Sequence, residues 1–365
     1  MVKQLCLWRG ARSTRLLTAA ALGSLLLGCQ PDFPNRASIV DGPRVLAVQS
    51  SPAQAKPSAP VSFTALVVGP NGTVTAPALG WSFCSLSKPP SQINDVNSDC
   101  FNGDDPDAGV TSFGSGETAM GKVPVNACKQ FGPDVPKTAE GPGRPVDPDA
   151  TGGYYQPVVL DLSGTRAVAE MRLVCGLAGS PSVDQLNLYL ALSKNNENPQ
   201  LTQVSALELS APLSAEGSAT PLAVPAGTKL TLRAEWPACP ATPVCGDGIC
   251  SPLEGVSDDP TTGTIACPAD CQTNPHGCAG AEPYASLDPL TRIVNVRHEE
   301  MRVSWFATAG AFDSDHTGNT EAQYQLTSSS NAWKSPSTAG PVFMWVVLHD
   351  SRGGVSWLGF QLSVN

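Results

Sequence analysis

In the stretch Lys229-Leu230-Thr231-Leu232-Arg233-Ala234-Glu235-Trp236, apolar and polar side chains alternate without an error. A period of two sends one set of side chains to a core and the other to water, as in a half-buried β-strand. The pattern returns at Val61, Phe63, Ala65 and Val67, at Met301, Val303 and Trp305, and at Leu358, Phe360, Leu362 and Val364. Residues 342–348 are apolar on both faces, which predicts a central strand covered on both sides. Further strands are predicted at residues 44–48, 79–84, 154–162, 169–177 and 185–192. With 34 Gly and 34 Pro to supply turns, and no long amphipathic helical window after the first 30 residues, the chain reads as all-β. Its 365 residues suffice for two cores.

The start of the chain is an address. Lys3, Arg9, Arg12 and Arg15 precede an apolar stretch at residues 16–27, too short to span a bilayer as a helix and typical of a secretory signal. The sequence Leu26-Leu27-Gly28-Cys29 resembles a bacterial lipobox. That resemblance implies cleavage after Gly28, a diacylglyceryl group on the Cys29 thiol and acylation of the new amino terminus. Each buried methylene contributes about 0.8 kcal/mol, and a single chain anchors only marginally, so two or three chains on one cysteine hold a protein to a membrane. Gln30, rather than Asp, follows the cysteine, which by analogy with lipoprotein sorting implies the outer membrane. Residues 1–28 are then the signal peptide, and 29–43 a tether.

Cys6 leaves with the leader and Cys29 goes to lipid. The ten cysteines left over are an even number in an exported chain, where disulfides are expected. Cys84, Cys100, Cys128 and Cys175 form one group. Cys239, Cys245, Cys250, Cys267, Cys271 and Cys278 form another. Both counts are even, which predicts pairing inside each group, with the connectivity open. A zinc knuckle would use C-x2-C pairs, and the chain has none.

The segments "VPAGTKLTLRAEW", "MRVSWFATAGAF" and "NAWKSPSTAGPVFMWVVLHDSRGG", with the strand that closes the chain, resemble Ig-like and polycystic-kidney-disease-like sandwich domains. The resemblance implies two Ig-like β-sandwiches in tandem, at 44–197 and 198–365, with Trp81 and Trp305 as core tryptophans. Each holds a disulfide-rich insertion. Residues 85–153 read as a long decoration without elements, and 237–279 as a Cys-rich knot. Across "PRVLAVQSSPAQAKP", "WSFCSLSKPP", "CKQFGPDVP", "DATGGYYQPV" and "CGDGIC…CPADC", the chain is similar to a group of myxobacterial surface lipoproteins. This likeness implies location and fold and brings no activity with it.

Cys245-Gly246-Asp247-Gly248-Ile249-Cys250, then Glu254, then Cys267-Pro268-Ala269-Asp270-Cys271 resembles short Cys-rich repeats of surface proteins, distantly like Notch-type calcium modules. Two readings stand. Asp247, Glu254 and Asp270 could present hard oxygen ligands to Ca²⁺ in a stapled loop. Alternatively, the segment is a disulfide knot whose acids serve turns and solubility.

A formal net charge of −10 argues against a nucleic-acid partner. The segment at residues 313–318 begins like an EF-hand but has Tyr324 where the loop needs Glu, and His298-Glu299-Glu300 lacks the second histidine of a zincin. Nucleophile-elbow, P-loop and dinucleotide fingerprints are absent. The chain therefore reads as a non-catalytic, lipid-anchored envelope protein that meets an unknown protein or polysaccharide ligand in a binding, adhesion or structural role. A second reading is a carbohydrate-binding accessory module using Tyr154, Tyr155, Trp333 and Trp357 as stacking platforms. A third is a secreted hydrolase built from residues distant in sequence.

Overall fold

The computed structural model describes residues 37–75, 77–87, 96–101, 109–133, 151, 153–177, 181–272, 277–288 and 290–365. The leader, Cys29 and the first part of the tether lie outside the described residues. The fold is all-β, two Ig-like sandwiches in tandem, and Arg36–Asn365 forms one compact unit.

Four sheets stack as four layers. The outermost holds Gln54–Ala55, Thr165–Val174, Gly153–Leu162, Leu79–Cys84 and Val110–Ser115 in that order. Against it lies a sheet of Arg44–Ser51, Pro60–Gly69 and Gly72–Thr73, with Thr118–Lys122 also paired to Pro60–Gly69. Val61, Phe63, Ala65 and Val67 point between these two layers and meet Trp81, Leu160, Met171 and Leu173 in the first core. The third layer runs Leu222–Val224, Val355–Val364, Gly340–Asp350, Met301–Ala307, His316–Asn319. The fourth runs Ala211–Pro212, Gln203–Ala206, Lys229–Glu235, Ser328–Lys334, Ala311–Phe312. Between the third and fourth layers, Leu230, Leu232, Trp305, Trp333, Met344 and Val346 fill the second core. The alternation of Lys229–Glu235 is realised as drawn, with Leu230, Leu232 and Ala234 buried.

The sandwiches themselves meet face to face. Ala47, Leu66 and Val68 on the back of the second layer pack against Trp345, Val347 and Val355 on the back of the third. This contact explains why Gly340–Asp350 is apolar on both faces. Val342, Met344, Val346 and Leu348 serve one core, while Trp345 and Val347 serve the junction. Each such side chain removed from water contributes about 1.5–3 kcal/mol.

Two expectations are corrected. Residues 185–192 form no strand but part of the helix Val183–Leu192. Leu186, Leu188, Leu190 and Leu192 mimic a strand period. However, Gln, Asn, Leu and Ala are helix-tolerant, and the Ser182 hydroxyl caps the first turn by accepting from the Gln185 amide at 3.3 Å. Residues 85–153 are also more than a decoration, because they supply the strands Val110–Ser115 and Thr118–Lys122, one to each layer of the first sandwich. The Trp81 indole fixes their turn by donating to the Gly116 carbonyl at 2.7 Å.

Candidate functional site

The Cys-rich segment leaves the second sandwich after Lys229–Glu235 and returns at a narrow neck, where Cys239 and Cys278 are bonded with their Cα atoms 5.6 Å apart. Inside the neck, Cys245 pairs with Cys267 and Cys250 with Cys271. In the first sandwich Cys84 pairs with Cys100 and Cys128 with Cys175. Every bond stays within its sequence group.

Carboxylates organise the backbone of this segment. Asp270 is buried, and its two oxygens accept the amides of Gly246 at 2.6 Å and Gly248 at 3.0 Å. Both glycines have φ near +90° (92° and 83°), which a side chain would resist, so the G-D-G turn can wrap the carboxylate. Glu254, buried too, accepts from Val244 N at 2.7 Å and Ser251 N at 3.0 Å, and its own carbonyl receives the Lys194 ammonium at 2.8 Å. Burial holds that lysine below its ordinary value, and nearby Glu254 opposes the shift.

Glu254, Cys267 and Asp270 bring potential ligand atoms within 4.8 Å of one another, and Asp247 is not part of this group. The Asp247 carboxylate instead accepts the Ile249 amide at 2.8 Å on its own exposed turn. The Cys267 sulfur is bonded to Cys245 and offers no thiolate. That leaves two carboxylates whose four oxygens each already face an amide hydrogen, whereas Ca²⁺ takes six to eight oxygens. The residues fit a disulfide knot with internal carboxylate staples and do not fit a calcium cage.

A second constellation lies at the base of the segment, and no sequence motif pointed to it. Asp350 ends a long strand, and its Oδ1 accepts the amides of Arg352 and Gly354, each at 2.8 Å. A Cβ on Gly354 would lie 2.0 Å from that carboxylate, so only glycine closes this turn. The turn drives the Arg352 side chain inward. Its Nε donates to Glu299 Oε1 at 2.7 Å, its Nη2 donates to Glu282 Oε2, and the guanidinium lies 5.0 Å above the Tyr284 ring. Glu282 N donates in turn to Glu299 Oε2 at 3.1 Å, and Cys278 N to Glu282 Oε1 at 3.1 Å. The cluster thus joins the neck of the Cys-rich segment, the hairpin Pro283–Leu287/Val294–His298 and the turn before Val355–Val364.

Two carboxyls, Glu282 and Glu299, bond one guanidinium here, with the Asp350 carboxyl close by, and all three are buried. Burial pushes Glu282 up to about 7 despite the attraction of Arg352. Burial likewise raises Glu299, with Asp350 adding to the shift, and raises Asp350. Burial alone would lower Arg352, but Glu299, Glu282 and Asp350 reverse that and hold it above its ordinary value. In a chain with only 15% charged residues, Glu282, Glu299 and the Asp350/Arg352 pair beside turn glycines were the available signal.

The aromatic platform is not assembled. Trp333 and Tyr154 are core residues at 0% and 1% exposure, and Tyr155 and Trp357 are half-buried. No helix among the described residues is long and apolar enough to cross a membrane.

The architecture defines a class: a double Ig-like sandwich carrying a disulfide-braced segment beside a buried charge cluster. No known protein family and no curated protein matches the chain. Among solved structures it is similar to the D00-D0 domain of intimin, at 8% identity over 89% of this chain and 98% of that one, with a TM-score of 0.19. The adhesin InvE of Yersinia pseudotuberculosis shares 9% identity over 88% of this chain and 58% of its own, with a TM-score of 0.19. Escherichia coli alpha-2-macroglobulin activated by porcine elastase shares 9% over 90% and 22%, with a TM-score of 0.18. Similarity at this level carries no argument about function.

Proposed function

We propose that the chain is a non-catalytic, lipid-anchored protein of the cell envelope that holds its disulfide-braced segment out for binding or adhesion. The observation that carries this reading is the neck. The Cys239–Cys278 bond holds the ends of a 38-residue segment together, with Cα atoms 5.6 Å apart, and Lys194 and the cluster around Tyr189 and Leu192 seat that segment against the four-layer body. Loops displayed on a rigid scaffold are where partner contacts commonly sit. Inside the segment, Glu254 and Asp270 are spent on its own backbone, a use that suits a presented surface better than a reaction centre. The lipobox ending in Cys29 supports anchoring, and Gln30 supports the outer membrane.

Two experiments test this. In a bacterial host supplied with an alkyne fatty acid, the full chain takes up the label and Cys29→Ser does not. An unmodified chain released into the medium would remove the anchored reading. Replacing residues 240–277 by a Gly-Gly link across the neck leaves the body folded and abolishes attachment of the cells to their neighbours or to a surface. Unchanged attachment would remove the display reading.

A further inference from the structure

Where the first sandwich meets the hairpin turn of the second, the junction opens into a cleft of about 410 Å³. Val45 and Val48 of Arg44–Ser51 and Ala167 and Ala169 of Thr165–Val174 line its apolar walls. Tyr155, Glu170 and His349 supply polar groups. The volume lies in the range of small-molecule sites, which favour junctions between domains.

His349 is the informative residue. It follows Leu348 in Gly340–Asp350, so strand alternation turns it away from the second core and towards the first sandwich. There it is half-buried against the cleft, and among the described residues its imidazole makes no hydrogen bond. Burial, reinforced by Arg302, drives its pKa down to about 4, so at neutral pH the ring offers one donor and one acceptor and no charge. Glu170 also lines the cleft, and its carboxylate disfavours an anion there.

We propose that this cleft binds a small uncharged molecule with a compact apolar body and one polar group that hydrogen-bonds the His349 imidazole. The walls take the apolar body out of water, and the polar group replaces solvent at the His349 imidazole, which the cleft leaves open. A neutral ring gives no counter-charge to an anionic head.

N-phenyl-1-naphthylamine is an uncharged probe of this kind, with two apolar ring systems and one N–H. Titrated against the full chain, it gives a saturable fluorescence rise at one site. The anionic 8-anilinonaphthalene-1-sulfonate binds at least tenfold more weakly. His349→Leu weakens the neutral probe at least tenfold, and His349→Gln, which keeps a donor and an acceptor, stays within threefold of wild type. Ala169→Phe, which fills the cleft from its wall, abolishes the signal. Each variant is first matched to wild type by near-ultraviolet circular dichroism and melting temperature. Equal binding by wild type and Ala169→Phe, equal affinity for the two probes, an unchanged His349→Leu titration, or no saturable signal would each overturn the proposal.

Discussion

The Trp345 indole donates to the Thr73 hydroxyl at 2.9 Å, across the boundary between the two sandwiches. The same hydroxyl donates to Glu216 Oε2 at 2.6 Å, and the Thr73 amide donates to Glu216 Oε1 at 2.6 Å. A residue of the first sandwich is therefore held between a buried tryptophan and a carboxylate of the second. Around this chain Ala47, Leu66 and Val68 press on Val347 and Val355, so the junction has its own apolar core and its own polar lock.

It follows that the two sandwiches unfold together. Trp345→Ala removes a fully buried ring and its hydrogen bond, and large-to-small changes of this kind cost about 3–5 kcal/mol. Calorimetry of the wild type shows one transition. In Trp345→Ala that transition falls by several degrees and broadens or splits, as the coupling between the two cores weakens. Two resolved transitions already present in the wild type would contradict a shared junction.

How far the sequence reveals this arrangement depends on the residue. The two-sided apolar run at 342–348 announces a covered strand, and the structure supplies the cover as another sandwich, a partner that no local pattern can name. Val110–Ser115 is hidden because most of it faces water, so its alternation carries little hydrophobic contrast. At 185–192 a leucine every second residue fits both periods, and only the Ser182 cap decides for helix. Cysteine parity sorts the disulfides into groups. Carboxylate duties stay illegible, because Asp270 and Glu254 would look the same in a calcium loop. Arg352, Glu282 and Glu299 are 17 to 70 residues apart in sequence and become one cluster only through the fold.

The carboxylate staple predicts indifference to calcium. Asp270→Asn places an amide nitrogen against a backbone N–H that had faced oxygen, and losing one such charge-assisted bond costs about 2 kcal/mol. Thermal melting of the wild type is the same in millimolar calcium and in EDTA, while Asp270→Asn melts lower in both. A chelator-sensitive wild type would restore a metal reading.

The neck bond predicts local loosening. Cys239 and Cys278 are 39 residues apart, and cross-links closing loops of that size contribute about 4 kcal/mol in the chain-entropy account. With both changed to Ser, hydrogen exchange rises across the segment and at the hairpin Pro283–Leu287/Val294–His298, next to the neck. Exchange at Gly153–Leu162 in the outermost layer stays slow. Uniformly faster exchange would show that the neck instead supports the whole body.

The buried cluster sets the pH dependence of stability, and the sign follows from which state holds the proton. Glu282 faces Arg352, Asp350, Glu197 and Glu299, and its folded pKa of about 7 lies above its unfolded value. The stability contributed by its proton is full below the unfolded value near 4.5 and is lost as the pH climbs through 7. His349 acts in the opposite direction. Folded at about 4 and unfolded at 6.5, it contributes above 6.5 and loses that contribution as the pH falls through 4. Between these limits the two slopes oppose each other, so denaturation midpoints form a broad maximum on the acid side of neutrality. Glu282→Gln keeps a hydrogen-bonding group without the ionisation, so it flattens the loss between pH 5 and 8. Arg352→Met strips the guanidinium from Glu282 and Glu299. Breaking a buried pair costs about 3–5 kcal/mol, so the variant is most destabilised at pH 8 and recovers towards pH 5, where Glu282 carries its proton. Urea denaturation of the three proteins from pH 4 to 9 checks this. A Glu282→Gln curve parallel to wild type across the window would show that this carboxyl does not hold the proton.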